Sequence, residues 1–162
     1  MKKTEKSKKP SNRISKNISY KEATYSATAT RLKIDNKPNE DHIKNMKQVA
    51  EKVFQPVREW CDHPIRINSF YRSEALNTAI RGSVSSAHMK GQAIDIDSLG
   101  EKSNAELFEY IRENCDFDQL IWEFGSDINP DWIHLSYVNK DKNRKQVLEA
   151  RRERGKVKYY KI

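Results

Sequence analysis

The sequence of 162 residues is short of the residues that build unusual scaffolds. Its two cysteines, Cys61 and Cys115, are too few for a disulfide framework, and neither has a partner at the spacing of a metal-binding motif. They read as reduced thiols. Five glycines exclude a collagen-like chain. No apolar run approaches the roughly 18–20 residues that cross a membrane, so no membrane-spanning helix is expected. The N-terminal lysines are not followed by an apolar stretch, which argues against a secretory signal. Hydrophobic residues make up only 36%, against 33% charged. Three Trp, seven Tyr and five Phe still suffice to anchor a modest core, so a wholly disordered chain is excluded too.

The net charge of +8 is carried by the ends. Residues 1–16 hold seven basic and one acidic side chain, and residues 140–162 hold ten and three. Between them, 17–139 carries fourteen basic and nineteen acidic groups. A nucleic-acid-binding domain would build its basic face into the fold. Here the middle is acidic, and no nucleic-acid partner is expected. The ends read as solvated tails open to polyanions.

Residues 1–17 are Lys/Ser/Asn-rich and read as a disordered basic tail. The folded domain is expected over 18–140, and 141–162 as a basic C-terminal helix or tail. Within the domain, 18–32 suits short helices or loop, and Asn36 and Pro38 break the chain. Ile43, Met46, Ala50, Val53, Phe54, Val57 and Trp60 then recur at helical steps and predict an amphipathic helix over about 41–60, capped by Asn39 or Asp41. Alternation predicts strands at 65–70, 92–97, 117–124 and 132–138. Ser73 opens a short helix over 73–80, and Ser103 with Glu106 forms a capping box for a helix over 103–114. The class is α+β: a small antiparallel sheet, with 117–124 paired to 132–138, packed against two main helices.

Three side chains carry candidate chemistry. His88 and Asp95 lie in Ser-Ser-Ala-His-Met-Lys-Gly-Gln-Ala-Ile-Asp-Ile-Asp, where Gly91 permits a sharp turn from the loop into the strand. His134 arrives from a separate strand. Two imidazoles and a carboxylate suit zinc and leave a fourth position for water. The plain alternative is a half-buried strand histidine and a solvated strand-end carboxylate. Against it, Asp95 stands among Ala93, Ile94 and Ile96, where an unpaired carboxylate is expensive to bury.

An ordered set of segments runs along the chain: Tyr25-Ser26-Ala27-Thr28-Ala29, Asp35-Asn36-Lys37-Pro38, Pro56-Val57-Arg58, Asn68-Ser69-Phe70-Tyr71-Arg72-Ser73, Leu76-Asn77, Ser86 to Asp95, Gln119-Leu120-Ile121-Trp122-Glu123 and Trp132-Ile133-His134-Leu135-Ser136. Together these segments resemble the zinc D-Ala-D-Ala carboxypeptidase family of peptidoglycan peptidases, which shares its zinc site with Hedgehog domains. The segments cover about 20–138. The resemblance implies that His88, Asp95 and His134 bind one zinc ion, and that Arg72 faces the site and holds a substrate carbonyl or carboxylate. An ion pair with Glu74 is the structural alternative for Arg72. Two carboxylates compete as general base. Glu123 is preferred, because strand pairing sets it near His134 among apolar neighbours that raise its pKa. Asp131 is the alternative, three residues before His134. Each also has a structural reading: Glu123 could orient a zinc histidine, and Asp131 could cap the loop after Pro130. Phe70 stands where the family usually has Gly, and Arg81 lies in a run where relatives often have Gly-Gly. Both bear on the bond cleaved rather than on the metal. His42 and His63 match no ligand position.

The resemblance implies a zinc peptidase acting on peptidoglycan stem peptides, at a D-Ala-D-Ala or an L-Ala-D-Glu-type bond; a monomer is expected. A phage or prophage lysis enzyme, made in the cytoplasm and released through a holin-type pore, is the expected setting, with basic tails drawn to anionic wall polymers. A non-catalytic zinc-containing module that binds wall peptides or a protein is the alternative.

Overall fold

The computed structural model describes residues 12–162. Helices begin where side-chain oxygens cap them. Ser19 opens α1 (Tyr20–Thr24), Ser26 opens α2 (Ala27–Leu32), and Asn39 opens α3 (Glu40–Val49). The chain then takes a π-helical turn over Ala50–Phe54 before α4 (Gln55–Cys61). Pro56 has no N–H to donate back along the helix, and a wider turn just ahead of it accommodates the lost bond. One face of this long rod buries Met46, Val49, Ala50, Val53, Phe54, Val57 and Cys61. Trp60, at its edge, stacks on Tyr110 at 4.2 Å. Ser73 caps α5 (Glu74–Ala79), and the Ser103–Glu106 capping box opens α6 (Asn104–Asn114).

Six strands form one sheet: β1 (Ile65–Ser69), β2 (Ala93–Ser98), β3 (Gln119–Glu123), β4 (Trp132–Ser136), β5 (Gln146–Glu153) and β6 (Lys156–Lys161). Their order is β1-β2-β4-β3-β5-β6. Every pairing is antiparallel except β3 with β5. The fold is therefore the expected α+β, with a larger sheet than expected. Side chains alternate across it. Ile94, Ile96, Leu120, Ile133 and Leu135 join the core with Leu107, Phe108 and Ile111 of α6 and the apolar face of α3–α4. Trp122 meets Phe108 edge-on at 5.3 Å. The opposite face carries Asp95, Glu123 and His134.

Two expectations at the ends are corrected. The basic helix foreseen in 141–162 is instead the β5–β6 hairpin. Leu, Glu, Ala and Arg favour a helix there, but the free edge of β3 offers a ladder, and Leu148 and Ala150 bury against Ile121. Arg154 and Gly155 both have positive φ (49° and 76°), the two-residue turn that closes a hairpin. Residues 12–17 of the foreseen tail are also tied down. Ile14 and Ile18 are buried in the main core, and Gln55 Nε2 donates to Asn17 Oδ1 at 2.6 Å. The rest of that tail, 1–11, lies outside the described residues. Cys61 and Cys115 are buried free thiols, and burial pushes the Cys115 thiol up to about 11. Among the described residues, no helix is long and apolar enough to cross a membrane.

Candidate metal centre and active-site face

Three elements bring His88, Asp95 and His134 together. His88 sits in a single 3-10 turn, Ala87–Lys90, that ends at Gly91 with φ +68°. A Cβ at Gly91 would collide with the His42 carbonyl and Met46, so the turn and its seat against α3 both need glycine. Asp95 and His134 are directly paired across β2 and β4. Pairing of this kind puts two side chains on one face about 5 Å apart at Cβ.

The contacts point to a cation. His88 Nδ1 lies 2.7 Å from the Phe70 carbonyl, which only accepts, so Nδ1 carries the proton. The neutral ring then presents a lone pair at Nε2. That nitrogen is 3.2 Å from Asp95 Oδ1 and 3.3 Å from His134 Nδ1, and His134 Nδ1 is 2.8 Å from Asp95 Oδ1. A lone pair facing a carboxylate oxygen is repulsive unless a cation or proton lies between them. In tetrahedral zinc sites with bonds of about 2.0–2.1 Å, ligand atoms stand about 3.3 Å apart. The two separations from His88 match that spacing, the His134–Asp95 one is shorter, and this group could hold a metal ion. Burial lowers the pKa of His88, which keeps its lone pair available, with Asp95 opposing the shift. Burial alone would raise the Asp95 carboxyl, but the two imidazoles outweigh it and hold it well below the usual range.

Arg72 and Glu123 flank the trio. Arg72 Nη2 donates to Asp95 Oδ2 at 2.8 Å, and its Nε donates to Ser69 Oγ at 2.8 Å. It pairs with a trio member rather than with Glu74. Asn36 holds the segment: its amide donates to the Thr24 and Tyr71 carbonyls, and its oxygen accepts from the Ser73 N–H. Glu123 is paired with Trp132 and so lies diagonal to His134 on the same face, on the order of 7 Å away. Only 8% of it is exposed, and burial pushes its carboxyl up to about 7. The charge of Asp95 adds to this shift; His134, Arg72 and Arg152 oppose it.

A protein-family model, Peptidase M15, matches residues 16–136. The chain belongs to the peptidase M15 family. This family is zinc D-Ala-D-Ala carboxypeptidase-like, and its members are zinc-dependent metallopeptidases. No curated protein matches the chain.

The matched segment of this M15 peptidase contains the trio, Arg72, Glu123 and Asp131. Asp131 stands apart from the others. It is exposed at the start of β4, its N–H donates to the Glu123 carbonyl, and its own carbonyl accepts from Asn104 Nδ2. His63 and His42 lie away from the trio: His63 Nε2 accepts from the Lys102 N–H, and His42 packs on Tyr71 at 5.1 Å. Two residues near the site were not singled out from sequence. Tyr159 and Arg152 belong to the hairpin beyond the matched segment, and the charge of Arg152 reaches Glu123. The alternation of Val157, Tyr159 and Lys161 after Arg154-Gly155 was the available signal.

Proposed function

We propose that this M15 peptidase uses one zinc ion to hydrolyse peptidoglycan stem peptides, at a terminal D-Ala-D-Ala bond or an internal L-Ala-D-Glu-type bond. The observation that carries the reading is the convergence of His88 Nε2, Asp95 Oδ1 and His134 Nδ1 beside a buried carboxyl at about 7. The family's D-Ala-D-Ala carboxypeptidase-like character supports the substrate.

His88 Nε2, Asp95 Oδ1 and His134 Nδ1 would hold the zinc ion, which would supply Lewis acidity to a peptide carbonyl and lower the pKa of a water toward neutrality. Glu123 accepts a proton from the attacking water at its carboxylate and delivers it to the leaving nitrogen. A carboxyl near 7 does both at neutral pH. The Phe70 carbonyl fixes the His88 ring through Nδ1–H. Arg72 orients Asp95 by holding Oδ2, which leaves Oδ1 to the imidazoles. This makes Arg72 a positioning residue in the first place, with any substrate contact secondary. Asp131, exposed and tied through its main chain, is the less favoured candidate for this role. A phage or prophage lysis role belongs to the same proposal, the basic ends being attracted to anionic wall polymers.

Mass spectrometry of purified peptidoglycan after digestion, with added zinc or with a chelator, tests the reading. Expected are shortened or cleaved stem peptides that vanish with chelator and with Glu123→Ala, and that persist with Asp131→Ala. A wild-type protein that loads zinc and releases no new amino groups refutes hydrolysis and favours the binding-module alternative.

A further inference from the structure

The β5–β6 hairpin lies beyond the family-matched segment, yet it continues the face that carries the site. One register row runs Trp132–Glu123–Ala150–Tyr159 across four strands. Residues paired in a ladder share a face, so Ala150 and Tyr159 lie on the side of Glu123 and His134. Partial burial, Glu123 and Asp95 together raise the pKa of the Tyr159 phenol, which places it within electrostatic reach of the site.

Two residues along β5 from Ala150, on that same face, is Arg152. Its guanidinium carbon lies 4.3 Å from the centroid of the Phe124 ring, next in sequence to Glu123. Phe124 in turn meets Trp132 edge-on at 5.3 Å, so Arg152 is seated on a packed aromatic pair. The neighbouring Arg151 points the other way and is spent on Glu149 and Asp127. Arg152 has no ion pair or hydrogen bond from its side chain among the described residues. A stacked, exposed guanidinium with its donors free, beside a carboxyl that moves protons, is a receptor for a planar anion.

We propose that Arg152 binds a free carboxylate on the substrate residue that leaves. The inference rests on the peptidase reading above and names the feature of the substrate that is selected. The leaving nitrogen must come to Glu123 to be protonated, so the residue bearing it lies on the Arg152 side. A C-terminal D-Ala offers such a carboxylate as its terminus. A D-Glu linked through its side chain offers its α-carboxylate. Either source puts the same anion next to the bond that breaks.

The test uses the zinc-loaded full chain and two matched peptide pairs. One pair ends in D-Ala-D-Ala as the acid or the amide. The other contains L-Ala-γ-D-Glu with the α-carboxylate or the α-amide. The acid is expected to exceed its amide in kcat/KM by about 10- to 100-fold, and the pair that is cleaved identifies the source. Arg152→Gln brings that ratio toward one, and Arg152→Lys keeps part of it. Equal cleavage of acid and amide by the wild type, or a ratio untouched by Arg152→Gln, overturns the proposal. Cleavage of none of the four peptides counts against the peptidoglycan reading instead. Arg152 is then decided by NMR titration with D-alanine and D-alaninamide: a shift of the Arg152 Nε resonance with the acid alone upholds the proposal, and its absence overturns it.

Discussion

Replacing Glu123 by Gln should make the metal-free protein more stable at neutral pH. Burial raises the Glu123 carboxyl from 4.5 to about 7. In the unfolded chain the same carboxyl ionises near 4.5. Between these values the native state holds a proton that the unfolded state has released, so stability falls as pH rises. The loss is complete above about 7. At 1.36 kcal/mol per pKa unit, the span from 4.5 to about 7 corresponds to about 3 kcal/mol. Glutamine does not titrate and keeps the shape. His88 works in the opposite sense: its pKa is lowered, so stability is lost as pH falls through its unfolded value. It is common to both proteins and cancels in the difference. Urea unfolding in chelator, from pH 4.5 to 8, should give curves that diverge by about 3 kcal/mol in favour of Glu123→Gln. Curves that stay parallel across this range would refute the claim that Glu123 is a desolvated carboxyl, and with it the proton-transfer role.

Four further outcomes are expected. Asp95→Ala should abolish zinc retention by the purified protein, measured by elemental analysis, and should cost about 3–5 kcal/mol in chelator because Arg72 loses its buried partner; Asp95→Asn should lose zinc with a smaller cost. Asn36→Ala should destabilise by about 1–3 kcal/mol, since it leaves the Ser73 N–H and the Tyr71 carbonyl without their partner, and hydrogen exchange should rise around Arg72. Gly155→Val should cost about 1–2 kcal/mol, because a β-branched residue resists φ +76°, and the loss should appear as faster exchange in β5 and β6. Deleting residues 1–11, which stops short of buried Ile14, should weaken pelleting with cell walls at low salt and change little at high salt; equal pelleting at low salt would remove the tail from wall attraction.

Most of the framework was legible because local signals and tertiary packing agree. The Ser73 and Ser103 caps, the apolar stripe from Met46 to Val57, and the alternation of 132–138 each specify their element without help from distant residues. The C-terminal segment was not legible, because its local and tertiary preferences conflict. Gln146 to Glu153 has helix-forming composition, and only the open edge of β3 makes it a strand. Ile14 was missed for a related reason: a lone apolar residue in a polar run carries no periodicity, and its burial depends on the space beside α4 that Ile18 and Gln55 define.

The site divides along the same line. Residue types alone made His88, Asp95 and His134 a candidate set, because two imidazoles and a carboxylate set in apolar surroundings ask for a cation. Glycine at position 91 followed from the turn between them. Only the tertiary structure decided how these groups are used. The Phe70 carbonyl sets the His88 proton, Arg72 is committed to Asp95, and strand register separates buried Glu123 from exposed Asp131. Each of these depends on distances and desolvation between segments far apart in the chain, and a pKa or a proton position is fixed by what surrounds a group, not by its neighbours in sequence.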